Sequence, residues 1–213
     1  MTKNSDGLLT FRLARNLNAS QIEDLASLHA DNIPNGFLTT LGDDFLNLLY
    51  SAINLNKDCE IFVAQCNEEI IGFLASSRLP TGILKTLVIN FTVRLAFVLC
   101  GALTSFVSIS KIIETLRASK GRPSNKSTCV FDYQIINLCV KAEYQNRKIG
   151  RTLLNQMIDH CHANNLSSVK IVTGASQISA RRLYLSAGAE WVADLEIHKG
   201  VKSLLFLLDL RKK

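Results

Sequence analysis

The sequence predicts a layered α/β (α+β) fold in a single domain spanning 1–213, and three observations predict it. Short runs rich in β-branched residues alternate with stretches whose apolar residues recur at helical spacing. Apolar residues make up 47% of the 213 residues, enough chain to bury one sizeable core. No segment repeats and none is low in complexity, so neither a solenoid nor a disordered chain fits.

The elements follow in order. LTFRLA (9–14) alternates and reads as a strand. Asn18-Ala-Ser-Gln21 has the form of a capping box, so a helix runs from there to about Asp31. NIPNGF (32–37) is a loop punctuated by Pro34 and Gly36. Phe45, Leu46, Leu48, Leu49, Ala52 and Ile53 then mark a second helix behind Asp43 and Asp44. EIFVAQC (60–66) and IIGFLASS (70–77), separated by NEE, read as a hairpin.

Residues 79–129 differ in character and form an apolar helical insertion between the third and fourth strands. From Thr86 to Ser110 the only full charge is Arg94. The length would span a bilayer, but a charge near its middle costs at least about 2.5 kcal/mol. A single crossing would also split one sheet between two sides of the membrane. Two expectations remain. One is a pair of helices packed on the domain or on a second subunit, in a homodimer. The other, favoured slightly, is contact with a membrane surface or lipid-linked substrate through 83–122, where Lys85, Arg94, Lys111, Arg117, Lys120 and Arg122 would lie near headgroups.

The last third is the most regular. VFDYQIINLCV (130–140) is a strand, 141–150 a loop, and Leu153, Leu154, Met157, Ile158 and Cys161 share a helical face. SVKIVTG (168–174) is a strand. Ser176 caps a helix through Ala187, with Gly188 as its C′ glycine. EWVADLEI (190–197) and KSLLFLLDL (202–210) complete the sheet.

Composition narrows the partners. With 24 Lys and Arg against 18 Asp and Glu, the net charge of +6 favours anionic ligands. Aromatics are only 7% and the basic residues are scattered, so no nucleic-acid platform is expected. Six cysteines without a CxxC pair argue against a disulfide scaffold or zinc ribbon, and no metal is expected. His160 and His162 do not share a helical face. The N-terminal MTKNSDGLLTFRLARNL lacks an apolar h-region, so a cytoplasmic, reduced location is expected, with the inner face of a membrane as a variant.

The chemistry lies in INLCVKAEYQNRKIGRTLL (136–154), where a strand enters a polar loop and then a helix. Helix N-termini offer free N–H groups and about half a positive charge, a binding site for phosphate. Gln145, Arg147, Lys148 and Arg151 surround that point, and Gly150 removes a Cβ where a ligand would press on the backbone. The Walker and dinucleotide glycine patterns are both absent. An ordinary solvated loop before a helix is the plain alternative.

The stretch resembles the loop of the GCN5-related N-acetyltransferases (GNAT), through Gln145-Asn146-Arg147-Lys148-Ile149-Gly150 after Val140-Lys141-Ala142-Glu143-Tyr144. SQISARRLYLSAGAEWV (176–192) resembles the same family's later helix, with Ala180, Tyr184 and Gly188 at its A-x-x-x-Y-x-x-x-G spacing and Gln177 where many members carry Asn. The likeness covers 130–210 well, 8–78 by order of elements, and not the insertion.

The resemblance implies a mixed, mostly antiparallel central sheet flanked by helices. It implies acetyl transfer from acetyl-CoA, as co-substrate, to a primary amine. The backbone at Leu138, Cys139 and Val140 would pair with pantetheine. The loop Gln145, Asn146, Arg147, Lys148, Ile149, Gly150 and Arg151, with Gln177, would hold the rest of the cofactor. Tyr184 would protonate the departing thiolate. The family's base position falls on Gln134, which cannot take a proton; Asp132, on the same strand face, and direct loss of the proton to water are alternatives. Lys148 replaces a family glycine, and the expectation is that only its N–H is needed, not a positive φ. The expected acceptor is a small-molecule amine, a nucleotide- or lipid-linked amino sugar first. A peptide acceptor and a non-catalytic acyl-CoA-binding, membrane-associated protein are the alternatives. Residues 29–45 would form the acceptor side; His29 could touch substrate there, against the commoner case of a surface histidine.

Overall fold

In the computed structural model, which describes residues 8–78, 80–102, 131–198 and 201–212, seven strands form one sheet in the order β1-β2-β3-β4-β5-β7-β6. The strands are β1 (Leu9–Ala14), β2 (Cys59–Cys66), β3 (Glu69–Ser77), β4 (Tyr133–Val140), β5 (Ser168–Gly174), β6 (Glu190–His198) and β7 (Val201–Asp209). Every pairing is antiparallel except β4 with β5. The predicted layering and mostly antiparallel sheet are therefore what this chain forms.

Helices α1 (Ala19–Asn32), α2 (Asp43–Leu55) and α3 (Pro80–Ala102) belong to one side of the sheet. Helices α4 (Ile149–Ala163) and α5 (Ile178–Ser186) cover the other. The amphipathic periodicity of α2 buries Phe45, Leu46, Leu49 and Ile53, while α4 buries Leu153, Leu154, Met157 and Cys161.

Local sequence chemistry explains most boundaries. Asn18 Oδ1 accepts the Gln21 N–H at 2.9 Å, and Gln21 Oε1 accepts the Asn18 N–H at 3.2 Å, completing the box that starts α1. The β2–β3 turn is two residues, with Cys66 opposite Glu69 and positive φ at Asn67 (48°) and Glu68 (74°). That is a type I′ turn, whose twist suits a hairpin. At the end of α5, Gly188 at φ 92° lets its N–H reach the Leu185 carbonyl, and Ala189 N–H reaches that of Tyr184. This Schellman closure fixes the helix end that carries Tyr184.

Two predicted details change. β4 begins at Tyr133 rather than 130, because Asp132 is used instead to receive Ser167. The N-cap of α5 is Gln177 rather than Ser176, and no side chain caps it. The described part of the insertion is a helix, α3, bent at Phe91 (φ −130°, ψ 21°). Its first half packs on α2 through Ile83 and Leu87, and Asn56 Nδ2 donates to Thr86 Oγ1 at 3.0 Å. Val88, Ile89 and Val93 are exposed. Among the described residues no helix is long and apolar enough to cross a membrane. Lys111, Arg117, Lys120 and Arg122, and the second half of the expected helical pair, lie outside the described residues.

Candidate active site

β4 and β5 pair only at Tyr133–Val169, Gln134–Lys170 and Ile135–Ile171. Beyond Ile135 the two strands part, so the second half of β4 has a sheet partner on one side only, β3. The orientation of its main chain follows from the ladder. Lys141 N–H donates to the Ile71 carbonyl at 2.8 Å. Alternation in an antiparallel pair then turns Cys139, opposite Phe73, toward β3 as well. The intervening Leu138 and Val140 point their amides away, into the opening. Cys139, expected to hold pantetheine through its backbone, thus spends that backbone on the sheet.

A register shift between Ala75 and Ser76 opposes Ile135 and Asn137 to adjacent β3 residues, leaving Ile136 as the extra residue of a bulge. The bulge sits where β4 leaves β5 and re-aims the side chains that follow.

The opening ends at α4. Its cap residue, Lys148, makes no side-chain cap, so the first-turn N–H groups lack the usual partner. Lys148 has φ 64°, and Asn146 has φ 62°. The expectation that Lys148 supplies only an N–H is therefore wrong: the position is left-handed, where Lys costs roughly 1 kcal/mol relative to glycine.

Gly150 marks the convergence of three elements. A Cβ there would lie 3.4 Å from Leu138 of β4 and 3.4 Å from Leu183 of α5, ordinary contact distances. Protein packing alone does not demand glycine. Gln145 Nε2 donates to the Val140 carbonyl at 3.0 Å and to Asn32 Oδ1 at 3.3 Å, so this side chain closes the loop onto the strand and α1. Arg147 lies over the Tyr144 ring at 5.3 Å. Arg151 is engaged with Ser186, donating to its carbonyl at 3.1 Å and to its hydroxyl, and so docks α5 on α4. Ile149 is buried in the core, and only its main chain faces the loop. Gln177 accepts from Thr173 Oγ1 at 2.7 Å at the foot of α5.

Tyr184 is 4% exposed and packs in the cluster that includes Leu138 and Val140. Burial, with the nearby Cys139 thiol, pushes its hydroxyl pKa far up, so it keeps its proton at neutral pH. Burial likewise pushes the Cys139 thiol up to about 12, which makes it a packed thiol and not a nucleophile.

The candidate bases fare differently. Asp132 Oδ2 accepts from Ser167 N–H (2.9 Å), Ser167 Oγ (2.6 Å) and Ser168 Oγ (3.2 Å). Those bonds, the Ser167 hydroxyl first, hold its carboxyl below the usual range. It ties the closed end of β4 to β5, away from the opening, and is a poor proton acceptor. Gln134 is opposite Ser77 and Lys170, also in the closed part.

The sequence reading missed one feature. His29 of α1, Tyr50 of α2 and Asn137 of β4 form a hydrogen-bonded group. His29 Nδ1 and Tyr50 Oη are 2.7 Å apart, Asn137 Nδ2 donates to Tyr50 Oη at 3.0 Å, and it lies 3.3 Å from His29 Nδ1. His29 is 2% exposed, not a surface histidine. The available signal was a lone Asn inside the apolar run of β4. Among the described residues no group of His, Cys, Asp and Glu could hold a metal ion.

A strand edge opened beside an uncapped helix N-terminus, with a protonated tyrosine alongside, is an arrangement that could hold an acyl-thioester with an anionic tail. The chain belongs to the acetyltransferase (GNAT) family, whose model matches residues 22–189. It is an acetyl-CoA-dependent N-acetyltransferase by that membership. No curated protein matches it. Its fold is similar to that of Arabidopsis thaliana NAA60 in complex with acetyl-CoA, at 19% identity over 96% of this chain and 99% of that one, with a TM-score of 0.58. It is also similar to yncA of Salmonella typhimurium with its cofactor acetyl-CoA (13%, 96% and 95%, TM-score 0.57). An N-acetyltransferase from Staphylococcus aureus Mu50 is similar to the same degree (13%, 95% and 99%, TM-score 0.59).

Proposed function

We propose that this chain transfers the acetyl group of acetyl-CoA to the primary amine of a small molecule, an amino sugar being the first class to try. The observation that carries the reading is the open half of β4, which ends at the uncapped N-terminus of α4. The residues fit acetyl-CoA. Leu138 offers an outward N–H and C=O, and Val140 an outward N–H, matching an arm that carries two amides. The N–H groups at Ile149, Gly150 and Arg151 suit a pyrophosphate, with Lys148 adding charge.

In this reading Tyr184, kept protonated by burial, gives its proton to the departing thiolate sulfur. No carboxylate serves as base: Asp132 is tied to the serines and Gln134 cannot titrate. The amine therefore loses its proton to water. Peptide α-amines are the second acceptor class, because the site lies beside α1 and α2 and those helices set what reaches it.

The test is turnover. With acetyl-CoA and a panel of amino sugars and short peptides, the wild-type chain acetylates at least one class. Tyr184→Phe lowers kcat about 10²–10⁴-fold while the affinity for acetyl-CoA stays the same. Equal rates for the two proteins would remove Tyr184 from the mechanism.

A further inference from the structure

Asn137 stands at the apex of the opening. β4 pairs with β5 up to Ile135, the bulge falls at Ile136, and Asn137 is the next residue. An arm laid along β4 from the α4 N-terminus runs past Val140 and Leu138 toward this apex. Three residues of strand cover roughly 10 Å. An arm that follows the strand this far would bring its thioester end beside Asn137.

The orientation of the Asn137 amide sets the hydrogen-bond roles around it. Its amide Nδ2 donates to Tyr50 Oη at 3.0 Å. Tyr50 Oη, having accepted, passes its own proton to His29 Nδ1 at 2.7 Å. This assignment goes with the His29 tautomer that carries its proton on Nε2 and accepts at Nδ1. The amide of Asn137 is consumed on the protein side. Its Oδ1 accepts no hydrogen bond among the described residues, and the side chain is only partly buried. A part-exposed carbonyl oxygen held by two buried partners at the apex of a cleft is a fixed acceptor.

The surroundings carry no charge. α1 contributes His29, α2 contributes Tyr50, β3 contributes Phe73 and Ala75, β4 contributes Cys139, and across the strand α5 contributes Tyr184. Burial holds His29 neutral down to about pH 4 and keeps both tyrosines and the thiol protonated. No carboxylate of the described residues acts on Tyr50 or His29. An ammonium ion entering here would lose hydration with no anion to replace it.

Resting on the acetyl-transfer reading above, we propose that Asn137 receives the acceptor: its Oδ1, oriented through Tyr50 and His29, accepts an N–H of an unprotonated amine, and the uncharged apex selects weakly basic primary amines. The chemistry balances without a base in the protein. The amine nitrogen bonds to the acetyl carbon and the C–S bond breaks. One amine proton leaves to water, and the thiolate takes the proton of Tyr184, which solvent then restores. Asn137 takes no proton. Peptide α-amines, near pKa 8, belong to this class; lysine side chains, near 10.4, do not. Tyr50 and His29 are positioning residues.

The experiment uses the full chain, as wild type, Asn137→Ala, Asn137→Asp and Tyr50→Phe, with three probes: a tripeptide with a free α-amine, glucosamine, and Nα-acetyl-lysine methylamide. Acetyl-CoA affinity and circular dichroism are measured for each variant first. At pH 7.5 the tripeptide or glucosamine is preferred over the lysine probe by about 10²-fold in kcat/KM, which reflects the unprotonated fractions. Which of the two is preferred names the source of the amine. Asn137→Ala lowers kcat/KM for the accepted amine about 10–100-fold with acetyl-CoA affinity unchanged. Tyr50→Phe lowers it less. Asn137→Asp supplies a carboxylate and moves the acid limb of the kcat/KM profile to lower pH, which a purely structural role would not do. Preference for the lysine probe overturns the proposal. So does an Asn137→Asp profile that coincides with wild type, or turnover of none of the probes while acetyl-CoA binds. Failure to bind acetyl-CoA would instead overturn the acetyl-transfer reading itself.

Discussion

Acidification tests the buried histidine directly. Burial lowers the His29 pKa from 6.5 to about 4. In the unfolded chain the imidazole is hydrated and takes a proton near its ordinary value. Between those two pH values the unfolded state binds the extra proton, so stability falls as the pH falls. At about 1.4 kcal/mol per pH unit, the interval is worth up to about 3 kcal/mol. For a chain of this size, about 2–4 °C of Tm accompanies each kcal/mol, so about 6–12 °C is at stake. Other groups add to the acid slope: the carboxyls of Asp132 and Asp209 are both held low, by Ser167 and by Arg211. The comparison is therefore between wild type and His29→Gln, followed by thermal and urea unfolding from pH 7.5 to 4. The variant is less stable at pH 7.5, because it disturbs Tyr50 and Asn137, but it loses less on acidification. Curves that fall in parallel would show that His29 is not held neutral and would undo the uncharged apex.

Two substitutions separate local strain from function. Lys148→Gly removes a left-handed side chain at φ 64° and raises stability by up to about 1 kcal/mol, or about 2–4 °C, after the greater freedom of unfolded glycine is allowed for; a loss of stability would mean that the lysine side chain supports the loop. Asp132→Asn replaces the charged acceptor of three serine hydrogen bonds by a neutral amide oxygen and costs about 1–3 kcal/mol, read as a lower urea midpoint, while kcat stays within about threefold; a large fall in kcat with stability intact would restore Asp132 as a base.

Much of the fold was legible because its signals are local. The Asn18–Gln21 box, the C′ Gly188 and the apolar face of α4 each depend on residues within a few positions of one another. The strand, loop and helix start within residues 136–154 were legible for the same reason. The rest depends on long-range geometry. Which amides of β4 face the opening follows from its register against β3, so Cys139 could not be separated from Leu138 and Val140 by reading along the chain. That Arg151 meets Ser186 depends on where α5 docks. The His29–Tyr50–Asn137 group joins residues 21, 87 and 108 positions apart, and only folding assembles it. The φ of Lys148 was misjudged because lysine is a poor marker for a left-handed position, and the demand for that turn comes from the loop as a whole.

The measurement that bears most directly on the central claim is calorimetric titration of the chain with acetyl-CoA, beside Gly150→Trp. A Cβ at Gly150 would already lie 3.4 Å from Leu138 and Leu183, so an indole there crowds the junction of β4, α4 and α5 at the α4 N-terminus. Saturable binding by the wild type, weakened at least about tenfold by Gly150→Trp in a chain that still folds, is the predicted result, equivalent to about 1.4 kcal/mol or more. Equal affinity in the two proteins would mean that acetyl-CoA binds somewhere other than the opening between β4 and β5.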